Sequence, residues 1–158
     1  LRMTTCLNAR GYATPELHDA DACGGCHRKT FRELEPSVHE GIASCTDCHG
    51  GPHDIHAIDD LASTMSPVNQ IKTCGGCHSR PEGLIDGYLT SVHGRALLKS
   101  GLIFAPHCTS CHGVHDIRRS DDPESGTAHA HVAETCNECH SSGGLLTDQY
   151  LKLPSEVT

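Results

Sequence analysis

One stretch of the sequence, Cys108 to His115, combines thiols and imidazoles at spacings suited to holding a porphyrin. Cys108 and Cys111 are spaced C-x-x-C, and His112 follows the second cysteine directly. Two thiols at this spacing can form thioethers to the two vinyl groups of one porphyrin, and the adjacent histidine can bind the iron from one face. His115 follows three residues later. The stretch therefore predicts a covalently attached c-type haem.

The C-x-x-C-H pattern occurs five times in the chain. We interpret each occurrence as an attachment site with a proximal histidine, and we number the haems I to V in chain order. The predicted haem-binding residues are Cys23, Cys26 and His27 (haem I), Cys45, Cys48 and His49 (haem II), Cys74, Cys77 and His78 (haem III), Cys108, Cys111 and His112 (haem IV), and Cys136, Cys139 and His140 (haem V). The chain is thus expected to carry five haem c groups.

Two other uses of paired cysteines are less consistent with the sequence. Structural zinc sites also use C-x-x-C pairs, but they do not require a histidine after every second cysteine. A disulfide scaffold would suit an exported chain but leaves the same histidines unexplained. Cys6 is the one cysteine outside the motifs, so it is either a free thiol or joined to another molecule.

Several other histidines are candidates for the second axial position of each iron. The chain has 14 histidines, more than the five proximal ligands and five distal ligands that five haems require. His39 and His93 both stand in a Ser-Val-His sequence, and His53 and His115 both stand in a His-Asp-Ile sequence. Because these contexts recur, all four are predicted iron ligands.

The spacing limits which haem each candidate can serve. His115 lies too close in sequence to His112 to pass around the porphyrin edge, so we expect it to bind a different haem. His53 should likewise not serve haem II. His18 and His131, each five residues before a motif cysteine, are further candidate ligands. The remaining histidines are assigned to the surface: His56, His107 and His129.

The motifs recur in a fixed order. C-x-x-C-H, Ser-Val-His, C-x-x-C-H and His-Asp-Ile occur in this order twice, and the fifth attachment site opens a third copy. Repeats of this size usually form stacked similar modules. We predict an N-terminal arm at residues 1–22 and one pentahaem domain at residues 23–158, with repeats at 23–73 and 74–135 and a partial repeat at 136–158.

The composition predicts sparse regular structure. Hydrophobic residues make up 36% of the chain, with no Trp and two Phe, so a core made of protein alone would be thin. The 16 Gly and 8 Pro interrupt the chain frequently. We expect a mostly irregular chain with short α-helices and little or no sheet, organised around stacked haems. Helices should carry each C-x-x-C-H and each Ser-Val-His, including residues 85–100, and the charged residues 28–35 should form helical turns that end near Pro36.

Charge and hydropathy exclude some functions and favour an exported location. The formal net charge is −8, which argues against nucleic-acid binding. No apolar run approaches the ~20 residues of a transmembrane helix. The chain starts with Leu1, and haem is attached to c-type apocytochromes after export. We therefore interpret the sequence as a mature extracellular or periplasmic chain from which a signal peptide has been removed.

The alternation of CGGCH, SVHG and CTSCHGVHDI resembles the multihaem c-type cytochromes, from residue 18 to about residue 150. These include periplasmic pentahaem electron carriers and small extracellular cytochromes that polymerise into conductive filaments. The resemblance implies bis-histidine haems in alternating parallel and T-shaped pairs. In the filament group, it also implies that a histidine of one subunit completes a haem of the next. The chain departs from the related nitrite reductases because it has no CxxCK site and is much shorter.

Three functions fit these observations to different degrees. Electron transfer without catalysis is favoured, because two histidines per iron leave no open position. The carrier would be a filament subunit or a soluble periplasmic shuttle that donates to a terminal reductase. An enzyme that reduces small nitrogen or sulfur oxyanions at one open haem is an alternative. Haem storage or a purely structural role is a weaker alternative, because neither would require neighbouring haem sites to exchange histidine ligands in an ordered way.

The partial third repeat leads to an expectation about assembly. It stops before its Ser-Val-His, so haem V is expected to lack the distal ligand that haems I and III could take from their own repeats. His18 has no preceding haem to serve. A head-to-tail contact in which His18 of one copy binds haem V of its neighbour would satisfy both ends and build a filament. The rival is internal ligation by His131 or His129.

Overall fold

The computed structural model describes residues 23–79 and 83–141. This part of the chain contains no strand and has seven short helices, which are α1 Arg28–Leu34, α2 Cys45–His49, α3 Gln70–His78, α4 Leu84–Thr90, α5 Val92–Leu98, α6 Cys108–His112 and α7 Val132–His140. The predicted fold class, short helices in a mostly irregular chain with little or no sheet, is confirmed. The arm at 1–22, with Cys6 and His18, and most of the partial repeat lie outside the described residues.

The apolar core of the described part is very small. Its buried hydrophobic residues are Leu97, Ala105 and Ala128, whereas Ile42 and Val92 are 81% and 72% exposed. A chain of about 150 residues normally buries about two thirds of its surface on folding. The protein atoms alone therefore supply too little buried apolar surface for an ordinary domain. Within the described residues, no helix has the length and apolar character needed to cross a membrane.

Four of the helices each end at the histidine of a C-x-x-C-H motif, namely α2, α3, α6 and α7. Residues three apart on a helix lie on the same face, so each helix presents its two cysteines side by side. After α2 and α6 the chain turns at Gly50 and Gly113, both with φ of +82°. Glycine adopts this left-handed conformation without strain.

Only one of the two Ser-Val-His sequences lies in a helix, although helices were predicted for both. The second begins a helix, with Ser91 Oγ accepting a hydrogen bond from Gly94 N at 3.0 Å. The first, residues 37–39, lies in turns rather than in a helix. Residues 85–100 form two helices rather than one because the backbone is extended at Ser91, with φ −67° and ψ 166°. The charged stretch after the first site forms α1, which ends before Pro36, as predicted.

Two turn segments, residues 57–69 and 119–131, repeat the same backbone path. Ser63 N donates to Asp60 O at 2.9 Å, and Ser125 N donates to Asp122 O at 3.0 Å. Each segment is tied to the helix after it by a threonine: Thr73 Oγ1 donates to Thr64 O at 2.7 Å, and Thr135 Oγ1 donates to Gly126 O at 2.7 Å. The sequence repeat is therefore also a structural repeat.

A buried glutamine joins the attachment helices of haems III and IV. Gln70, at the start of α3, has no exposed surface. Its Oε1 accepts from Thr109 N of α6 at 3.1 Å, and its Nε2 donates to Met65 O at 3.1 Å. Tyr88 OH of α4 donates to Pro106 O at 2.8 Å, just before α6. Because buried polar groups are stable only when hydrogen-bonded, these contacts define the position of α6.

Candidate haem sites

Three of the proximal histidines have a second imidazole ring opposite them. The ring centres are 5.9 Å apart for His39 and His78, 6.1 Å for His49 and His115, and 6.0 Å for His93 and His140. Two imidazoles on one metal have centres about 6 Å apart, since each metal–nitrogen bond is about 2 Å and each ring adds about 1 Å. The spacing of all three pairs therefore fits axial ligation of one iron.

The pairs cross between repeats. His39 of the first repeat faces the proximal histidine of haem III, and His93 of the second repeat faces that of haem V. His115 of the second repeat faces back to haem II. The structure thus corrects two expectations. The Ser-Val-His histidines lie against the first haem site of the following repeat rather than their own, and haem V has His93 opposite His140 in the same chain.

The physical reason for the crossing is a backbone contact, which we call the junction, between residues 37–39 and residues 115–117. Ile117 O accepts a hydrogen bond from Val38 N at 2.8 Å and another from Ser37 Oγ at 3.1 Å. Ser37 is buried. The Ser-Val-His segment of one repeat is therefore held by the His-Asp-Ile segment of the next. The junction places one histidine from each segment beside a different haem site.

Other predicted ligands have no such partner in residues 23–79 and 83–141. His53, the first-repeat counterpart of His115, is exposed. His131 is also exposed, with its Nδ1 3.6 Å from Glu134 Oε2. His18 lies outside the described residues. Their ligand roles stay predictions.

The histidines assigned to the surface make contacts of a structural kind. His56 Nδ1 lies 2.8 Å from Asp60 Oδ2. At the equivalent place in the second repeat, Arg118 Nη1 donates to Asp122 Oδ2 at 3.1 Å. A cationic or donor side chain is thus needed here to hold the turn segment, and an iron ligand is not. His107 precedes α6, and its main-chain N donates to Ser110 Oγ at 3.1 Å.

Two proximal histidines, those of haems I and IV, do not belong to any of the three pairs. Among the described residues, no imidazole ring lies opposite His27 or His112 at the distance of the three pairs. The candidates outside those pairs are His18, His53, His129 and His131.

Within each repeat, the two attachment sites lie side by side. Burial and the neighbouring Cys45 thiol raise the pKa of Cys23 to about 11. In the second repeat, Cys74 donates a hydrogen bond to Cys108, which raises the pKa of Cys74 and lowers that of Cys108 to about 7. Thioether formation removes these thiol protons, so the shifts belong to the chain before haem attachment. The contacts place haem sites I and II together, and III and IV together.

Sites in successive repeats are also adjacent. Burial, Asp47 and the Cys77 thiol raise the pKa of Cys48, in that order of effect. Burial, followed by the thiols of Cys136 and Cys139, raises the pKa of Cys111. Together with the contacts within repeats, these complete a line in which every attachment site adjoins the next, from haem I to haem V.

Two imidazoles of the pairs, those of His39 and His49, are kept in the neutral form that binds metal. Burial, with a smaller effect of His78, lowers the pKa of His39. Burial lowers the pKa of His49 as well, followed by the effects of His115 and His27. A histidine must be neutral to donate its nitrogen lone pair to iron. The environment therefore favours ligation at these positions.

The zinc and disulfide alternatives find no support in the described part of the chain. No three side chains of His, Cys, Asp or Glu converge there to form a metal-binding group. The cysteines of the second to fifth motifs are all thiols. The residues fit covalent haem instead, with paired cysteines on helices, paired imidazoles across a gap, and little protein core.

Sequence reasoning missed one residue at these sites. Glu33 of α1 places its carboxylate oxygen Oε2 3.5 Å from His115 Nδ1. The two residues are far apart in the sequence and meet only through the junction, so no local pattern could have related them.

Adjacent C-x-x-C-H sites with paired imidazoles are features of the multihaem c-type cytochromes. The chain is similar to the multiheme cytochrome MtrA of Shewanella baltica (strain OS185), with 27% identity over 180 residues, which covers 93% of this chain and 52% of that protein. The chain thus spans about half the length of this relative. No family model and no solved structure matches it. The similarity supports a multihaem c-type cytochrome, and electron transfer in general, at the level of the family.

Proposed function

We propose that this protein transfers electrons along a line of five bis-histidine haem c groups and catalyses no reaction of its own. The observation that carries the proposal is the proximity of successive attachment sites from Cys23 to Cys139, since thiols of each site are hydrogen-bonded to thiols of the next or lie close enough to affect their pKa. When bound, the haems supply one-electron chemistry. The protein supplies axial ligands, burial and spacing, which set the potentials.

The axial pairs favour a carrier over an enzyme. A reductase of small oxyanions needs an open position on one iron, and an iron between two imidazoles has none. Within the described residues, only His27 and His112 lack an opposing ring, and the unassigned histidines exceed these two positions. Haems I and IV are therefore the places where an open iron would be found if the reductase alternative were correct.

The first prediction concerns the number of haems. The purified protein should exceed the apoprotein mass by five haem masses and retain all of its haem in denaturant, because thioethers survive unfolding. A variant lacking both Cys136 and Cys139 should lose one haem, whereas Cys6→Ser should lose none. Intact-mass spectrometry measures the number of haems in the unaltered protein and in both variants.

The ferric spectrum of the same material separates carrier from reductase. A fully low-spin spectrum supports the carrier. Fewer than five haem masses would remove at least one attachment site from the proposal, and a high-spin signal in the unaltered protein would favour the reductase.

We propose that the protein works outside the cytoplasm, in the periplasm or at the cell exterior, with other redox proteins or extracellular acceptors as its partners. The attachment of c-type haem after export supports this location. The net charge of −8 suits an encounter with a basic redox partner and does not suit nucleic acid.

We propose further that copies assemble head to tail into an extracellular filament, with a histidine of one subunit completing a haem of the next. Support comes from the His112 ring, which has no partner ring among the described residues, and from His18, which precedes the first haem. Haem IV now replaces haem V as the receiving site, because His93 faces His140. The alternative is a soluble periplasmic shuttle in which His131 or His129 completes haem IV.

The filament prediction is tested with two matched variants. His18→Ala should abolish filaments in electron micrographs and convert one haem to high spin, whereas His131→Ala should leave the filaments intact. The reverse result would support the shuttle. If neither variant changes assembly or spin state, His18 is not the link between subunits.

A further inference from the structure

We infer that Glu33 is a positioning residue for His115: its carboxylate fixes the ring of this ligand and lowers the reduction potential of haem II below its value with an unassisted imidazole. The inference rests on the proposed haem ligation. It adds a reason why the reduction potential of one haem in the line differs from those of the others.

The carboxylate of Glu33 lies beside one ring nitrogen of His115, Nδ1, which leaves Nε2 as the nitrogen that would bind iron. Glu33 Oε2 lies 3.5 Å from His115 Nδ1, and both side chains are partly shielded, at 42% and 31% exposure. A carboxylate at Nδ1 selects the tautomer with hydrogen on that nitrogen, so Nε2 keeps its lone pair for the metal. Such partners also make the imidazole a stronger donor. Stronger donation and the nearby negative charge both favour ferric over ferrous iron.

The same carboxylate has a second contact, through its other oxygen. Glu33 Oε1 lies 3.6 Å from Lys29 Nζ, one helical turn earlier on α1. Lys29 is 89% exposed on its side chain, so this ion pair contributes little energy by itself. The two oxygens of Glu33 thus face different partners, Lys29 and His115.

Comparison of the two repeats supports a specific role. Glu33 stands four residues before Ser37, and the residue four before Ser91 in the second repeat is Gly87. A His-Asp-Ile segment docks on the first Ser-Val-His, through Ile117, and the described residues provide no such segment for the second. The carboxylate is therefore present in the repeat that receives a histidine and absent from the other.

The other paired distal histidines lack this feature in the part of the chain that the structure describes. Neither His39 nor His93 has a carboxylate oxygen within ion-pair distance of its ring there; the three such contacts belong to His56, His115 and His131. Of these, only His115 also faces a proximal histidine. Among the three imidazole pairs of the described residues, the pair at haem site II is therefore the one in which the effect of a carboxylate on a distal ligand can be isolated.

The test uses Glu33→Gln, with Glu35→Gln as the matched control. Glu35 lies two residues further along the chain and is exposed, so the control removes the same charge at the surface. In a spectroelectrochemical titration, Glu33→Gln should raise the reduction potential of one haem by about 59 mV. This shift corresponds to a roughly tenfold change in the equilibrium constant for its one-electron reduction. The haem count and the low-spin spectrum should not change, and Glu35→Gln should leave the titration as it was.

A double-mutant cycle identifies the haem concerned. In a His115→Met background, Glu33→Gln should shift the potential much less, because the ring through which the carboxylate acts is absent and only its charge remains. A shift of equal size in both backgrounds would show a general field effect and overturn the inference. So would an unshifted titration of the Glu33→Gln protein. If His115→Met itself leaves the potentials and the spectrum unaltered, it is the proposed ligation of haem II that fails.

Discussion

A chain produced without haem attachment is expected to be largely unfolded. The described part buries only Leu97, Ala105 and Ala128 as hydrophobic core, which is too little to offset the conformational entropy lost on folding. Five porphyrins would supply the missing apolar surface. Replacement of all ten motif cysteines by alanine should therefore abolish the cooperative thermal transition and most of the helical circular dichroism.

A partial variant provides the control for this prediction. Removal of Cys136 and Cys139 alone deletes haem V, which lies at one end of the line of sites. That protein should retain a cooperative transition at a lower temperature. An apoprotein with the helix content and melting behaviour of the haem-loaded chain would show that the protein atoms suffice, contrary to the burial seen here.

Replacement of His93 by alanine is expected to convert haem V, and no other haem, to the high-spin form. The His93 ring lies opposite His140, and its loss leaves that iron with one imidazole. His115→Ala should act in the same way on haem II, because His115 lies opposite His49. Electron paramagnetic resonance of the ferric protein detects the high-spin haem in each variant. The control is His56→Ala, which removes a surface contact only and should produce no high-spin signal.

The identity of the affected haem can be established without assigning spectra. In a background that already lacks Cys136 and Cys139, His93→Ala should add no new high-spin haem, since haem V is gone. A new high-spin signal there would mean that His93 serves haem III of its own repeat. That result would restore the expectation from the sequence and contradict the pairing in the structure.

Much of the chemistry could be predicted from residue types and spacing. C-x-x-C-H places three ligating groups within five residues, so the attachment sites depend on local geometry alone. The sparse, helical fold followed from the Gly and Pro content and the scarcity of large apolar residues. The argument that His115 cannot serve haem IV was also local, because it used only the length of the tether to His112.

The pairing of distant histidines could not be predicted in the same way. The His39 ring lies opposite His78 because Ile117 O accepts hydrogen bonds from Ser37 and Val38, and that contact joins positions about eighty residues apart. The sequence showed that Ser-Val-His and His-Asp-Ile recur, but it did not show that they bind each other. Without this contact, a distal ligand from the same repeat was the simplest expectation, and it left haem V with none, whereas the structure places His93 opposite His140.

The junction implies that a repeat is not a self-sufficient unit. The first repeat holds a histidine that its neighbour needs, and it takes one from that neighbour in return. Cleavage of the chain within the turn segment 57–69 would leave haem II on one fragment without His115 and haem III on the other without His39. Each fragment would carry the ligand that the other lacks, so the two should recombine when mixed. Stability in such an array resides in the contacts between neighbours, as in other repeat proteins.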